Sequence, residues 1–380
     1  MLVVKDMNKD VMSKEDYMRI AIELANKGKG FVNPNPLVGA VIVKNGKIIG
    51  QGYHECFGQA HAEVNAFLNA TEDVEGADMY VTLEPCSHYG KTPPCALKII
   101  DKKIKNVYIS QLDPNPLVGG RGVKLLEEAG IKVESGILEH DTKIQNEIFL
   151  KYIQTKKPFV AMKYAMTLDG KIATHTKDSK WITNAKSRAF VHELRNEYMA
   201  IMVGSNTVLL DNPRLDTRID GKQTRNPIRI IIDPNLITPL THYVVTSAIK
   251  TPTWIVTSAK KEETELKPYR DLGVIFIVKN TDPLDLNDLM TTLGEMKIDG
   301  VLIEGGSYLH GASLDAKIVD KVYAFIAPKL IGGINALTPV SGKGVELMKD
   351  AHLLTHIKLH NFDDDIMIEG YIKQEGDNTL

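Results

Sequence analysis

Three side chains in the first hundred residues have the types and spacing of zinc ligands. His61, Cys86 and Cys95 offer one imidazole nitrogen and two sulfurs, a set that suits tetrahedral Zn²⁺. Three protein ligands leave the fourth position for water, which is the arrangement of catalytic zinc sites. Zinc lowers the pKa of such a water to near neutrality and makes it a nucleophile. The sequence therefore predicts a catalytic zinc centre.

A carboxylate stands beside this ligand set. Glu63 is two residues from His61, close enough to carry a proton without binding the metal itself. The pattern H-x-E followed by P-C and a second cysteine is typical of zinc-dependent deaminases. We therefore predict that Glu63 is the catalytic proton carrier. Cys56 has no such neighbours, and we interpret it as a structural residue.

Alternating helices and strands are predicted to position these residues, which indicates a layered α/β domain. Ser13 can cap the first helix, with Asp16 completing a capping box, and Asn45-Gly46 predicts a hairpin turn. The predicted elements are a helix at Ser13–Gly30, strands at Val38–Val43 and Lys47–Gly50, a helix at His61–Ala70, a strand at Tyr80–Leu83, a strand at Val107–Ser110, a helix at Gly122–Ala129, a strand at Ile131–Val133 and a charged helix at Glu139–Lys151.

A second α/β series follows the charged run Lys156-Lys157-Pro158, which suits a linker. We expect one domain over residues 1–150 and another over 151–380. The predicted strands are Phe159–Ala165, Ala200–Val203, Ile228–Ile232, Thr253–Val256, Val274–Val278, Val301–Ile303 and Val322–Ala327, and the predicted helices are Ala185–Glu197, Leu284–Glu295 and Leu309–Asp315.

Two short patterns have an open interpretation from the residues alone. Glu304-Gly305-Gly306-Ser307 follows a strand and precedes a helix, so it is either a phosphate-binding turn or a plain turn. The runs 33–39 and 113–119 repeat the pattern x-Pro-Asn-Pro-Leu-Val-Gly. They are either paired functional loops or two similar proline-rich turns.

Composition narrows the class of protein. The 380 residues carry a net charge of −2, which does not favour a broad nucleic-acid surface. We see no apolar run near 18 residues and no signal peptide at the start, so we expect no membrane partner. Three cysteines are too few for a disulfide framework and suit a reducing compartment. We expect a cytoplasmic protein.

The length and sequence of the loop between the two cysteines indicate a particular family of deaminases. Eight residues separate Cys86 from Cys95, where nucleoside and nucleic-acid deaminases usually have two. The run Pro85–Cys95, PCSHYGKTPPC, resembles the bifunctional riboflavin biosynthesis family of pyrimidine deaminase/reductases. Nearly the whole chain shares this resemblance, and in the second half it is carried by the runs Met162–Lys171, Ser179–Thr183, Val203–Val208 and Asp211–Pro213.

The resemblance implies a fold and two reactions. The first domain would be a cytidine-deaminase-like three-layer α/β domain, and the second would be dihydrofolate-reductase-like. The first would use Zn²⁺ to deaminate 2,5-diamino-6-(5-phosphoribosylamino)pyrimidin-4-one. The second would use NADPH to reduce the ribosyl side chain to ribityl. The partners would be a pyrimidine ribose phosphate and further copies of the chain, assembled through the reductase domain.

The resemblance also assigns residues by matched position. In the deaminase, the substrate would contact Asn35, His54, His88 and Lys91. NADPH would contact Ala165, Trp181, Thr207, Asp211 and the run Gly306, Ser307, Tyr308, Leu309, His310, Gly311 and Ala312. In the reductase, the substrate would contact Lys163, Ser179, Arg195, Asp211, Leu215, Arg218 and Glu304. Physically, Lys91 is a point charge for phosphate, and Arg195 with Arg218 can form a phosphate fork.

Two alternative functions compete with this prediction. One is a nucleoside or RNA deaminase whose second half serves only specificity, which the near-neutral charge and the long cysteine loop disfavour. The other is a non-enzymatic zinc-stabilised binding protein, which would need a closed four-ligand site. Three ligands and an additional Glu63 argue against it.

Overall fold

The chain divides into two compact units between Gln154 and Thr155. The computed structural model describes residues 12–87, 89, 93–115, 119–281 and 283–373. Each unit is built on its own sheet.

The first unit has a five-stranded sheet in the order β2-β1-β3-β4-β5. Its elements are α1 (Lys14–Asn26), β1 (Gly39–Lys44), β2 (Lys47–Tyr53), α2 (Ala62–Leu68), β3 (Asp78–Leu83), α3 (Cys95–Asp101), β4 (Asn106–Gln111), α4 (Arg121–Glu128), β5 (Lys132–Ser135), α5 (Glu139–Gln145) and α6 (Glu147–Thr155). Strand β1 is antiparallel to β2 and β3, whereas β3, β4 and β5 are parallel.

Local sequence signals set the start of this unit as predicted. The Ser13 hydroxyl accepts from the Asp16 amide at 3.1 Å, and the Asp16 carboxylate accepts from the Ser13 amide at 2.8 Å. This reciprocal capping box begins α1. Asn45 and Gly46 have φ angles of 51° and 76°, the left-handed conformation that a two-residue hairpin turn requires.

Apolar side chains cover both faces of the first sheet and make the unit three layers thick. On one face, Met18 and Ala21 of α1 pack against Val41 of β1. On the other, a larger core joins the sheet to α2, α3 and α4 through buried side chains such as Ala66 and Ile99. Helices α2 and α3 therefore lie on the same side of the sheet.

The second unit has a nine-stranded sheet in the order β10-β9-β8-β7-β11-β6-β12-β14-β13. Its elements are β6 (Phe159–Thr167), α7 (Ala185–Glu197), β7 (Ala200–Gly204), α8 (Ser205–Asp211), β8 (Ile228–Ile232), α9 (Tyr243–Thr246), β9 (Thr253–Ser258), α10 (Glu263–Arg270), β10 (Ile275–Lys279), α11 (Leu286–Glu295), β11 (Gly300–Gly305), α12 (Ser307–Asp315), β12 (Lys321–Ala327), β13 (Leu354–Phe362) and β14 (Asp365–Ile372).

Neighbouring strands from β10 to β12 run parallel, and β14 and β13 complete the edge as an antiparallel pair. Helices α11 and α12 share one core with the sheet, and α8, α9 and α10 share another on the opposite face. Strand β11 inserts between β7 and β6, so the chain changes direction across the sheet at that point. The carboxyl ends of strands at such a switch point form a crevice for ligands.

The structure differs from the predicted elements in several places. The charged helix expected at Glu139–Lys151 is interrupted at Asn146, whose buried amide accepts from the Leu37 amide at 2.8 Å and donates to the Leu37 carbonyl at 3.0 Å. This pairing needs a side chain on a residue 109 positions away, which helical periodicity cannot show. The strands β13 and β14 and the short helices α3, α8, α9 and α10 were not predicted either.

Candidate active sites

The predicted zinc ligands come together at one point. The ligand atoms of His61, Cys86 and Cys95 lie within 4.8 Å of one another. The His61 Nδ1 atom is 3.6 Å from the Cys86 sulfur and 3.3 Å from the Cys95 sulfur. One nitrogen and two sulfurs at these separations fit a tetrahedral zinc ion with one open position.

Two helix starts and a strand end position this ligand set. His61 is the residue that caps α2, Cys95 is the first residue of α3, and Cys86 follows β3. The Cys95 amide donates to the Cys86 sulfur at 3.3 Å, and the Ala96 amide donates to the Cys86 carbonyl at 3.2 Å. The backbone of α3 therefore fixes the position of the other cysteine.

Burial and hydrogen bonding prepare the site for a cation and for proton transfer. A hydrogen bond from Cys95 lowers the pKa of the Cys86 thiol to about 4, and a thiolate is the form that binds metal. Glu63, in the first turn of α2, is only 4% exposed. Burial raises the pKa of its carboxyl group, which suits a group that must both accept and release a proton.

Asn35 and His54 form a connected pair beside the zinc ligands. The His54 Nδ1 atom lies 3.1 Å from the Ala60 carbonyl, which can only accept, so Nδ1 carries the proton. Burial lowers the pKa of His54 and favours its neutral form. Its Nε2 atom then accepts from the Asn35 amide at 3.1 Å, and the His54 and His61 rings are 5.6 Å apart. Because the Asn35 side-chain nitrogen donates to His54, the orientation of the Asn35 side-chain oxygen is also fixed.

His88 and Lys91 lie outside the described residues. Their predicted contacts with the substrate remain predictions.

Glu84 is a buried residue beside the site for which the sequence analysis predicted no role. It is 5% exposed, and its two carboxylate oxygens accept from four backbone amides at 2.9 to 3.3 Å, those of Asp113, Gly120, Gly122 and Val123. A side chain at Gly122 would place a Cβ 2.1 Å from the Pro85 carbonyl. Glu84 therefore ties Asp113 and the start of α4 to the segment that carries Cys86. The only sequence signal was its place in Glu84-Pro85-Cys86.

In the second unit, two helices begin side by side at the switch point. Gly204 caps α8 and Gly306 caps α12. Gly306 has a φ of 92°, and a Cβ there would lie 3.6 Å from the Gly204 nitrogen. Thr207 faces the same place, because a Cβ on Gly305 would meet its methyl group at 3.3 Å. Amides at adjacent helix starts can hold a pyrophosphate, so these residues fit a dinucleotide.

A buried ion pair lies among the predicted substrate residues. Arg195 donates from Nε and Nη2 to the two Glu304 oxygens at 2.6 and 2.7 Å, and from Nη1 to the Asp216 carbonyl at 3.0 Å. Burial alone would raise the pKa of Glu304, but Arg195 and Lys163 outweigh it and lower that pKa. Burial lowers the pKa of Lys163. The Arg195 fork therefore engages Glu304 here, and its predicted phosphate contact remains a prediction.

The other predicted reductase residues occupy loops and helix ends around the same strands. Leu215 is buried with a φ of 51°, and Arg218 pairs with Asp216 at 3.3 Å. Trp181 is 64% exposed and lies under the Arg188 guanidinium, 4.6 Å from the ring centre. Ala165 is in β6, Ser179 is in the loop after it, Asp211 ends α8, and Ser307, Tyr308, Leu309, His310, Gly311 and Ala312 form the first turns of α12.

Comparison with known proteins matches the two units separately. Residues 12–111 match the cytidine and deoxycytidylate deaminase zinc-binding region. Residues 158–367 match the RibD C-terminal domain.

Other known proteins match both units in a single chain. The riboflavin biosynthesis protein RibD of Actinobacillus pleuropneumoniae is 47% identical over 360 residues, which cover 94% of this chain and 95% of that protein. The RibD of Bacillus amyloliquefaciens is 42% identical over 96% of this chain and 99% of its own. The crystal structure of a diaminohydroxyphosphoribosylaminopyrimidine deaminase/5-amino-6-(5-phosphoribosylamino)uracil reductase from Thermotoga maritima has 41% identity and a TM-score of 0.85, and the match covers 94% and 98% of the two chains.

The fold and the site thus define a bifunctional enzyme, with a deaminase domain that has a zinc-binding region and a reductase domain. The chain belongs to the RibD family of riboflavin biosynthesis enzymes. The predicted combination of a cytidine-deaminase-like domain with a dihydrofolate-reductase-like domain is confirmed. Among the helices that the structure describes, none is both long and apolar enough to span a membrane.

Proposed function

We propose that the chain deaminates the diaminohydroxyphosphoribosylaminopyrimidine and then reduces the resulting 5-amino-6-(5-phosphoribosylamino)uracil with NADPH. The deaminase is assigned to residues 1–150 and the reductase to residues 151–380. The observation that carries the proposal is the three-ligand cluster of His61, Cys86 and Cys95 beside the buried Glu63. That donor set in a RibD family member suits hydrolysis of an amino group on a pyrimidine ring.

In the deaminase, His61, Cys86 and Cys95 would hold zinc. When bound, zinc supplies a water that is acidic enough to act as a nucleophile. Glu63 accepts a proton at its carboxylate and delivers it to the departing amino group, which leaves as ammonia. Asn35, held in orientation by His54, binds the pyrimidine edge, and His88 and Lys91 bind the remainder of the substrate, with Lys91 at the phosphate.

In the reductase, NADPH supplies the hydride. The adjacent starts of α8 and α12 would hold its pyrophosphate, and Ala165, Trp181, Thr207, Asp211 and the Gly306–Ala312 run would make further contacts. The substrate contacts Lys163, Ser179, Arg195, Asp211, Leu215, Arg218 and Glu304. The close Arg195–Glu304 pair supports a polar site that would orient the sugar of the substrate.

The deciding experiment is incubation with the diaminopyrimidinone phosphate, with and without NADPH, followed by mass analysis. Without NADPH the product should have lost an amino group and gained oxygen. With NADPH it should gain two further hydrogens on the side chain. If the product never gains those hydrogens, the proposed reductase activity is wrong and only the deaminase activity is supported.

We also propose that the enzyme is a cytoplasmic homo-oligomer assembled through its reductase unit. Large apolar side chains are exposed along the segment before β13 and on this edge strand, including Ile334 at 98%, Leu359 at 68% and Ile357 at 57%. Clusters of this kind are typical of protein interfaces. Light scattering on the wild type and on Leu359→Lys tests this, because a monomeric wild type would contradict it.

A further inference from the structure

In the reductase unit, a long segment after β12 contacts both the loop that follows β6 and helix α12. We name residues 328–341 the strap and residues 168–184, which follow β6, the β6 loop. The β6 loop carries the proposed site residues Ser179 and Trp181. Because β6 lies between β11 and β12 in the sheet, the strap must pass the end of β6 to reach α12.

One end of the strap is bonded to the β6 loop. The Asp169 carboxylate accepts from the Gly332 amide at 2.7 Å and, less closely, from the Ile331 amide at 3.3 Å. The Lys329 ammonium donates to the Trp181 carbonyl at 2.5 Å. These bonds fix both the start of the β6 loop and the residue proposed to contact NADPH.

Backbone pairing continues along the strap. The Leu168 amide donates to the Lys329 carbonyl and the Ile172 amide to the Leu337 carbonyl, both at 2.9 Å. The Lys171 ammonium donates to the Ala336 carbonyl at 3.3 Å. The strap thus pairs with the β6 loop at two places, before and after the turn at residues 169–170 of the loop.

The other end of the strap is bonded to α12. The His310 Nδ1 atom donates to the Pro339 carbonyl at 2.8 Å, and the Ser341 amide donates to the Ser307 carbonyl at 3.1 Å. Gly311 permits this approach, because a Cβ there would lie 1.7 Å from the Ser341 carbonyl. His310 is 3% exposed, and the strap occupies the Nδ1 atom of its ring.

We propose that Asp169 is a positioning residue of the reductase, which acts through the strap to hold the β6 loop and α12 at the separation that NADPH needs. Asp169 is the one carboxylate in the bonds described above between strap and loop, and a carboxylate accepting from consecutive amides makes strong bonds. Thr167 donates to its other oxygen at 2.6 Å, which fixes the orientation of the carboxylate. The inference rests on the proposed cofactor site.

The test compares Asp169→Ala and Asp169→Asn with Asp271→Asn, a matched control whose carboxylate makes only an exposed ion pair with Lys267 among the described contacts. Calorimetric titration should show NADPH Kd rising about tenfold in Asp169→Ala and less in Asp169→Asn, which retains one acceptor. The control should match the wild type. Deamination should be unchanged in all three.

A second measurement separates this inference from the proposed cofactor. Hydrogen–deuterium exchange without NADPH should become faster at the Ile331 and Gly332 amides and along the β6 loop in Asp169→Ala, while the urea midpoint of the reductase unit stays within the range of the control. Failure of the wild type to bind NADPH would overturn both proposals. Unchanged exchange, or an unchanged Kd beside normal wild-type binding, would overturn the positioning role alone.

Discussion

Replacing Glu84 by glutamine removes one oxygen from a buried carboxylate that accepts four amide hydrogens. The new NH₂ group must face either the Asp113 and Gly120 amides or the Gly122 and Val123 amides, so two of these donors, most of which are only partly buried, lose their acceptor. A hydrogen bond to a charged group contributes about 1.5–3 kcal/mol, so the free energy of unfolding should fall by roughly 3–6 kcal/mol. A domain is stable by only about 5–15 kcal/mol.

Glu128→Gln is the matched control. Glu128 belongs to the same helix, α4, and makes an exposed pair with Lys124 at 3.8 Å, so its replacement should change the free energy of unfolding by less than about 1 kcal/mol. Both tryptophans, Trp181 and Trp254, belong to the reductase unit. Tryptophan fluorescence therefore follows that unit alone, whereas far-ultraviolet circular dichroism follows both.

The assay is urea unfolding of the full chain with both probes. The dichroism transition that is absent from fluorescence reports the deaminase unit. In Glu84→Gln, the urea midpoint of this transition should fall by more than about 1 M, and the midpoint of the fluorescence transition should not change. Equal midpoints for Glu84→Gln and Glu128→Gln would refute the reasoning, because the four amides would then not depend on the carboxylate.

The two sites give three further expectations. Glu63→Gln retains size and hydrogen bonding but cannot carry a proton, so zinc by elemental analysis should remain while deamination falls roughly 10²–10⁴-fold; near-normal turnover in a zinc-replete variant would remove Glu63 from the mechanism. Cys86→Ser should lose most of the zinc, and full retention both there and in Cys95→Ser would mean that the ligands are misassigned. Because Arg195 lowers the pKa of Glu304 below the ordinary 4.5, their pair stabilises the reductase unit above that pH, and the contribution is lost as the pH falls through the lowered pKa. Fluorescence-monitored urea midpoints should therefore drop on acidification less in Glu304→Gln than in wild type, and parallel losses would contradict the assignment.

Sequence reasoning located the zinc centre because its ligands sit in short runs beside helix starts and a strand end. His61 and Glu63 share one helical turn, and Cys86 lies three residues after the end of β3. Such local arrangements are visible in the order of residues.

Contacts between distant positions were not visible in that way. Glu84 meets its amides 29 to 39 positions along the chain, and Arg195 meets Glu304 across 109 positions. Strand β13 is irregular, since His356 has a φ of 49° and the pairing register shifts beside it, so its residues do not show a regular strand pattern. Exposed side chains along β13 also blur the alternation expected of a strand.

The Asn146 contact bears on how short an autonomous deaminase can be. The zinc-binding region of the family ends at residue 111, yet the Asn146 amide is the partner of the Leu37 backbone, two residues from Asn35. The Gln145 amide likewise donates to the Ile22 carbonyl at 2.7 Å. A fragment cut at residue 111 would keep every zinc ligand, but the buried Leu37 amide and carbonyl would lose the Asn146 side chain and β4 would lose its neighbour β5. A deaminase domain that recombination could move between genes as a stable piece is therefore longer than the zinc-binding region by which it is recognised. It extends at least through Asn146.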